Sequence, residues 1–409
     1  MKILHINASD SGSTGKIVLS ITSEAEKRGF ETVSLFPNKT READKRIKEY
    51  VTSPRFEQSI NRRLCYIYGL HYGMAPLATA RILHIIKKEK PDVVHLHSIN
   101  CFTVNIYRLL GYLKKKGIAT VVTNHAEFFY TGSCPYAYEC EGWMSGCGKC
   151  PNLFSASESK LFDRTHTAWK RMKKAFSGFS KIQVVSVSPW VYSRSVRSPI
   201  LEGISQSVIL NGVDTGTFAP CDGRHLRENL GISEDKKVIL HVTSGFSVSD
   251  SDRKGGAFLV ELARRFKGEN VEFVVVGRGN PPQNMPENFK FIGAVHDQKL
   301  LAEYYSMADL CVVTSRRETF GMTVAEALCC GSPVVGFKSG GSESIALGEY
   351  SEFVEFGDVD ALENIIRNKW LNNKNQENSQ RLSEIANHTY SDKVMGKQYC
   401  DLYFEVTKK

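Results

Sequence analysis

Short runs rich in Val and Ile, bounded by polar turns, alternate along this chain with helix-like segments, and the alternation starts again past the middle. In the first half the apolar runs fall at residues 3–7, 32–36, 92–96, 119–123 and 182–187, with helical periodicity at 15–28, 76–90 and 105–116. In the second half they fall at 238–242, 271–276, 310–314 and 333–337, separated by helical stretches at 255–266, 298–306 and 322–329. Continuous apolar runs are what strands buried on both faces look like, and helices between them carry the crossovers of a parallel sheet. The pattern predicts an α/β chain of two doubly wound, Rossmann-like domains, residues 1–212 and 213–390, followed by a closing helix at 391–409. The 409 residues are too many for one core and suit two. In such sheets ligands bind at the carboxyl ends of the strands.

Charge separates the halves. Before Gly212 stand 30 basic and 16 acidic residues; from Gly212 onward there are 23 and 28, within a formal total of +9. The first half is therefore expected to face something anionic: nucleic acid, a phospholipid surface or a phosphorylated substrate. No nucleic-acid module is recognisable, so nucleic acid is not an expected partner. No apolar run approaches the ~18 to 20 residues needed to cross a bilayer, and the first residues lack the parts of a signal peptide. The expected location is cytoplasmic, with peripheral contact at an anionic inner membrane. The stretch 164–179, with Trp169, Met172, Phe176 and Phe179 among five cations, fits a helix lying on such a surface; it equally fits a core-facing helix with a solvated basic face.

The segment Ser315-Arg-Arg-Glu318-Thr-Phe-Gly321-Met-Thr-Val-Ala-Glu326 follows a strand and opens a helix. Backbone N–H groups near Gly321, Met322 and Thr323 would form an anion site there. Glu318 belongs to the loop and Glu326 to the helix, and ionised carboxylates at two depths of one site suit recognition of sugar hydroxyls.

Glu, seven residues, then Glu, with Phe-Gly just after the first, resembles the signature of the family-four retaining glycosyltransferases. The resemblance extends through Pro91-Asp92-Val-Val-His95-Leu-His97, Asn211-Gly-Val-Asp214, Arg253-Lys254-Gly255, Val276-Gly277-Arg-Gly279, Ala308-Asp309-Leu and Gly331-Ser-Pro-Val-Val335. It implies the GT-B fold, two Rossmann-like domains facing across a cleft with the last helix closing back onto the first. It implies transfer of a sugar from a nucleoside diphosphate, UDP favoured, to a hydroxyl acceptor with retention and with no cofactor required for catalysis. The expected acceptor is a lipid-linked glycan of bacterial capsule, exopolysaccharide or lipopolysaccharide synthesis. Alternatives are an epimerase or sugar-phosphate synthase of the same fold, or a noncatalytic nucleotide-sugar or membrane-surface binding module. By the same resemblance Glu318 binds the donor sugar's hydroxyls, Glu326 the ribose, and Lys254 with Arg253 the diphosphate. Where many relatives carry an Arg before that Lys, this chain has Ser249, and Thr319 stands where Gly is common.

The first loop, Ser9-Asp10-Ser11-Gly12-Ser13-Thr14-Gly15-Lys16, fails as a P-loop because Asp10 takes the first Gly position and Ile17 follows the Lys. Gly12 and Gly15 are instead expected to let backbone approach a phosphate or sugar, with Gly277 a further glycine of the donor site. Lone strand-end histidines are more often structural, so His95 is expected in the sheet and His97 at its rim. His125 matches a family position that contacts the donor sugar. The insertion at about 130–152 holds Cys134, Cys140, Cys147 and Cys150. This cluster reads as a structural zinc site, with no metal and an iron–sulfur or redox role as the alternatives.

Overall fold

Among the described residues thirteen strands form, where the chain is apolar enough to be covered on both sides or lies at an edge. In the computed structural model, which describes residues 1–40, 48–99, 102–249, 251–372 and 374–409, they are β1 Lys2–Ile6, β2 Glu31–Phe36, β3 Lys48–Val51, β4 Val93–Leu96, β5 Ala119–Asn124, β6 Ile182–Ser186 and β7 Ser205–Val208, then β8 Lys237–Val242, β9 Val271–Val276, β10 Phe289–Gly293, β11 Leu310–Val313, β12 Val334–Phe337 and β13 Ser351–Val354. The first seven make one sheet in the order β3-β2-β1-β4-β5-β6-β7, and the last six another in the order β10-β9-β8-β11-β12-β13. Within each sheet the described strands pair in parallel. Both are doubly wound α/β sheets, the architecture of the GT-B fold.

Two units result: Met1–Asn211 with Met395–Lys409, and Gly212–Val394. The C-terminal helix Asp392–Lys408 returns to the first unit, where Tyr399, Tyr403 and Val406 pack with Ile3, Val93 and Val121 of the sheet. In the second unit Ile239, Val275, Val312 and Val335 meet Leu259, Phe266 and Trp370 from the helices.

The basic stretch resolves in favour of a core-facing helix. In Thr165–Phe176 the residues Ala168, Met172 and Phe176 are buried, as is Phe179 beyond it, and the Trp169 indole N–H donates to the Trp143 carbonyl at 2.7 Å. Its apolar side is occupied by the protein, so it has none to offer a bilayer.

Candidate functional site

In the second sheet β8, β11 and β12 are neighbours, so the loops leaving their carboxyl ends lie side by side. Lys254 comes from the loop after β8 and Glu318 from the loop after β11, and Lys254 Nζ donates to Glu318 Oε1 at 2.6 Å. Both side chains are mostly buried, with 20% and 16% of their surface exposed.

The backbone explains why they meet. Gly255 lies in the left-handed region (φ +71°), and a Cβ there would stand 2.2 Å from the Thr314 carbonyl oxygen. Only glycine lets the two loops touch at this point. The Thr314 hydroxyl donates to the Lys254 carbonyl at 2.9 Å, and the Arg316 N–H to the Arg253 carbonyl at 2.8 Å. On the other side the Glu318 N–H reaches the Ser339 carbonyl at 2.9 Å, and the Gly341 N–H reaches the Glu318 carbonyl at 2.8 Å. A Cβ on Gly341 would fall 2.3 Å from the Thr319 carbonyl carbon. Glu343 accepts the N–H groups of Ser339 and Gly340, each at 2.8 Å. Burial acts to raise the Glu318 carboxyl's pKa, but the Lys254 and Arg253 charges and hydrogen bonds from Lys254 and Ser315 outweigh it and hold the group below the usual carboxylate range.

Gly321 (φ +92°) caps the helix Met322–Cys329, so the first-turn N–H groups of Met322 and Thr323 belong to this end of the sheet. Glu326 lies inside that helix as expected, where it accepts the Tyr305 hydroxyl at 2.9 Å. Beside the lysine an open pocket of about 470 Å³ is lined by Gly245, Ser247, Arg253, Lys254, Arg278 and Gly279, among others. Three cations share it. Gly277 serves the fold itself, because a Cβ there would come 2.5 Å from the Thr243 carbonyl oxygen.

Three contributors escaped the sequence reading. Arg278 sat inside a recognised motif without a role, whereas Tyr305 and Glu343 are distant in sequence from the carboxylates they position. Only Ser339-Gly-Gly-Ser-Glu343, a glycine pair before a helix with an acid in its first turn, carried a local signal.

In the first unit the histidines are not isolated. Register pairs His5 with His95, and side chains two residues apart on a strand share a face, so His97, Thr123 and His125 join the same side. His5 Nδ1 lies 3.1 Å from His97 Nε2, and His97 Nδ1 lies 3.2 Å from His125 Nε2. His95 bridges Tyr403 and Thr123 at 2.7 Å each, and the Tyr399 hydroxyl is 3.0 Å from Thr123 Oγ1. Burial pushes His5 and His125 down to about 3; burial, then neighbouring imidazoles, holds His95 and His97 well below their usual range. At neutral pH every ring is neutral. His97 is fully buried rather than at a solvated rim.

Gly12 takes φ +70° at the start of the helix Gly12–Lys27. A Cβ on Gly15 would stand 2.7 Å from the Asp10 carbonyl carbon, so its bareness serves the loop folding over its own helix. Asp10 is buried and accepts the Thr40 N–H at 2.7 Å.

The four clustered cysteines carry free thiols. Burial, then the neighbouring Cys150, Cys147 and Cys140, pushes the Cys134 thiol up, and burial pushes Cys147 up to about 12. Among the described residues only His5, His95 and His97 bring three ligand atoms within 4.8 Å of one another. No three of the cysteine sulfurs do so, as sulfurs at about 2.3 Å around one zinc would have to. The arrangement does not fit the expected structural zinc. Other contacts order the insertion. Fully buried Glu127 accepts Arg194 and the Tyr130 hydroxyl at 3.0 and 2.8 Å, the Ala137 N–H at 3.1 Å, and Asp163 accepts the Cys150 N–H at 2.6 Å.

Residues 14–217 match the family model described as Glycosyltransferase Family 4, and residues 236–371 match Glycosyl transferases group 1. WcaC of Escherichia coli K12, named as a glycosyl transferase of colanic acid biosynthesis, is 24% identical over 269 residues, covering 64% of this chain and 63% of WcaC. An N-acetyl-alpha-D-glucosaminyl L-malate synthase of Bacillus anthracis is 25% identical over 49% of this chain and 54% of its own length. The matches thus span between half and two thirds of these relatives. Among solved structures, sucrose-phosphate synthase of Thermosynechococcus elongatus superposes with a TM-score of 0.68 at 18% identity, covering 100% of this chain and 99% of that one. Anabaena HepE in complex with UDP-glucose superposes at 0.65 and 17% identity, covering 99% and 100%. These likenesses establish the shared fold.

Proposed function

Because the chain belongs to glycosyltransferase family 4, we propose that it transfers a sugar, with retention, from a nucleoside diphosphate sugar to a hydroxyl of a lipid-linked glycan in cell-surface polysaccharide synthesis. UDP is the favoured nucleotide, as in the HepE complex, and the likeness to WcaC supports the polysaccharide setting. The observation that carries the reading is the Lys254–Glu318 pair beside a three-cation pocket at the carboxyl end of the second sheet.

In this reading Lys254, Arg253 and Arg278 face the diphosphate, together with the first-turn N–H groups after Gly321. Glu318, kept ionised, accepts hydroxyls of the donor sugar. Glu326, oriented by Tyr305, accepts the ribose hydroxyls. For His125 and the loop of Gly12 and Gly15, in the first unit, the family resemblance supports a role in recognising the donor sugar. The bond from the anomeric carbon to the β-phosphate oxygen breaks, and the acceptor oxygen bonds on the same face. The acceptor's proton passes to the departing phosphate. Cations and N–H dipoles fixed where that charge develops supply the stabilisation. Glu318→Ala is expected to abolish transfer from UDP-sugars while leaving the circular dichroism spectrum intact; transfer at the parent rate would refute the assignment.

A further inference from the structure

The helix Arg55–Tyr68 is set into the first unit with its polar side inward. Its buried residues are Glu57, Asn61 and Cys65, four apart. Glu57 accepts the N–H groups of Leu77 and Ala78 at 2.7 and 2.9 Å, capping the helix Pro76–Glu89, and the Asn61 amide donates to the Phe102 carbonyl at 3.3 Å. With the polar stripe committed to those partners, the apolar stripe has to face outward. Phe56, Ile60, Leu64, Ile67 and Tyr68 are between 42% and 60% exposed. One residue per turn makes a ridge roughly 18 Å long.

The ridge continues beyond the helix. The Lys160 N–H donates to the Tyr66 carbonyl at 2.9 Å, and Phe154 stacks on Tyr66 with centroids 6.2 Å apart. Phe154, Leu161 and Phe162 are all more than half exposed. Cations are interleaved with these side chains: Arg62 and Arg63 stand exposed on the helix, Lys160 lies 5.6 Å from the Tyr66 ring centre, and Arg164 lies 5.6 Å from that of Tyr68. The nearby acids are Asp163, whose oxygens accept the Thr165 and Cys150 N–H groups, and half-buried Glu158.

A contiguous apolar surface of this size marks an interaction site. Aromatic and aliphatic side chains mixed with arginine and lysine suit the headgroup layer of an anionic bilayer, where the rings enter the acyl boundary and the cations remain at the phosphates. A second copy suits it less well, since two-fold pairing of this helix would bring Arg62 and Arg63 against their own copies.

We propose that this face rests on an anionic phospholipid surface. The proposal deepens the reading of a lipid-linked acceptor and rests on it.

The test is co-sedimentation of the full chain with vesicles of phosphatidylcholine alone, and of phosphatidylcholine mixed with phosphatidylglycerol. Binding is expected only to the anionic vesicles and to weaken with salt. Arg62→Glu with Arg63→Glu should lower the partition coefficient at least about 25-fold, since each basic side chain at such a surface contributes a factor of roughly five. Ile60→Ser with Leu64→Ser should lower it at least as much; all four positions are exposed, so the fold is retained. Three results overturn the proposal: no binding to anionic vesicles, binding unchanged in both variants, or a dimer in solution that Ile60→Ser with Leu64→Ser dissolves. Transfer to a short water-soluble acceptor is measured in parallel. If Glu318→Ala still transfers while the surface variants lose vesicle binding, the catalytic reading falls and the membrane surface stands.

Discussion

Replacing Lys254 with alanine tests the site at its strongest contact. The ammonium and carboxylate stand 2.6 Å apart with less than a quarter of either side chain exposed. Removing one partner of a fully buried pair costs about 3 to 5 kcal/mol because the other charge stays behind, whereas solvated pairs contribute about 0 to 1. For this pair, wet at one edge, Lys254→Ala should destabilise the second unit by roughly 2 to 3 kcal/mol at neutral pH. Adding Glu318→Gln should recover at least about 1 kcal/mol of that, the coupling a double-mutant cycle reads. The pH dependence has a definite sign. Glu318 is held below its ordinary value of 4.5 in the folded protein, so its stabilising contribution is full above that value and disappears as the pH falls through the lower folded value. Without the lysine, burial dominates and the carboxyl's pKa rises, so the gap between parent and variant should narrow as the pH falls from 7 through 4. Urea unfolding at several pH values measures this. A gap that stays constant over that range, or a variant as stable as the parent, would refute the electrostatic account. Transfer should fall by about 10² to 10³, the usual loss for a single placed stabiliser of developing charge.

Gly341→Ala puts a Cβ 2.3 Å from backbone and must push the Glu318 loop aside; it should cost about 1 to 3 kcal/mol and about 10²-fold in transfer, with the far-UV spectrum unchanged. Arg194→Ala removes the cation paired with Glu127 in a site where the Glu127 side chain has no exposed surface; a loss of about 3 to 5 kcal/mol is expected, partly recovered by Glu127→Gln, and a loss below about 1 would contradict the buried-pair reading. In the first unit His5, His71, His95, His97 and His125 all have pKa values lowered by burial. The unfolded chain therefore binds more protons below about pH 6.5. Stability should fall by on the order of 5 kcal/mol between pH 6.5 and 5.5, and continue falling toward the folded values. Unfolding curves that are flat from pH 7 to 5 would show that these rings are hydrated.

What could be read in advance depended on how locally each feature is encoded. Strands covered on both faces announce themselves, and β9 Val271–Val276 and the helix Met322–Cys329 lie where the periodicity puts them. The edge strands Lys48–Val51 and Ser205–Val208 are half solvated and polar, so they carry no apolar run to find. Glu318 and Glu326 stood out because they lie in a loop and a helix that directly follow a strand, whereas Lys254 was picked out by the family resemblance. The pairing of Lys254 with Glu318 spans 64 residues and became visible only through strand order. The histidines show the same limit from the other side. His95 and His97, two apart on a strand, had to share a face, yet joining them to His5 and His125 required knowing that β1, β4 and β5 are consecutive in the sheet. The cysteines mark where spacing misleads, because four thiols within seventeen residues can approach one another without any three reaching the distances of a common metal. The helix Arg55–Tyr68 inverts the usual inference. Its polar and apolar residues fall in separate stripes, but which stripe turns inward is decided by Glu57 capping a neighbouring helix, and that capping contact puts the apolar stripe at the surface.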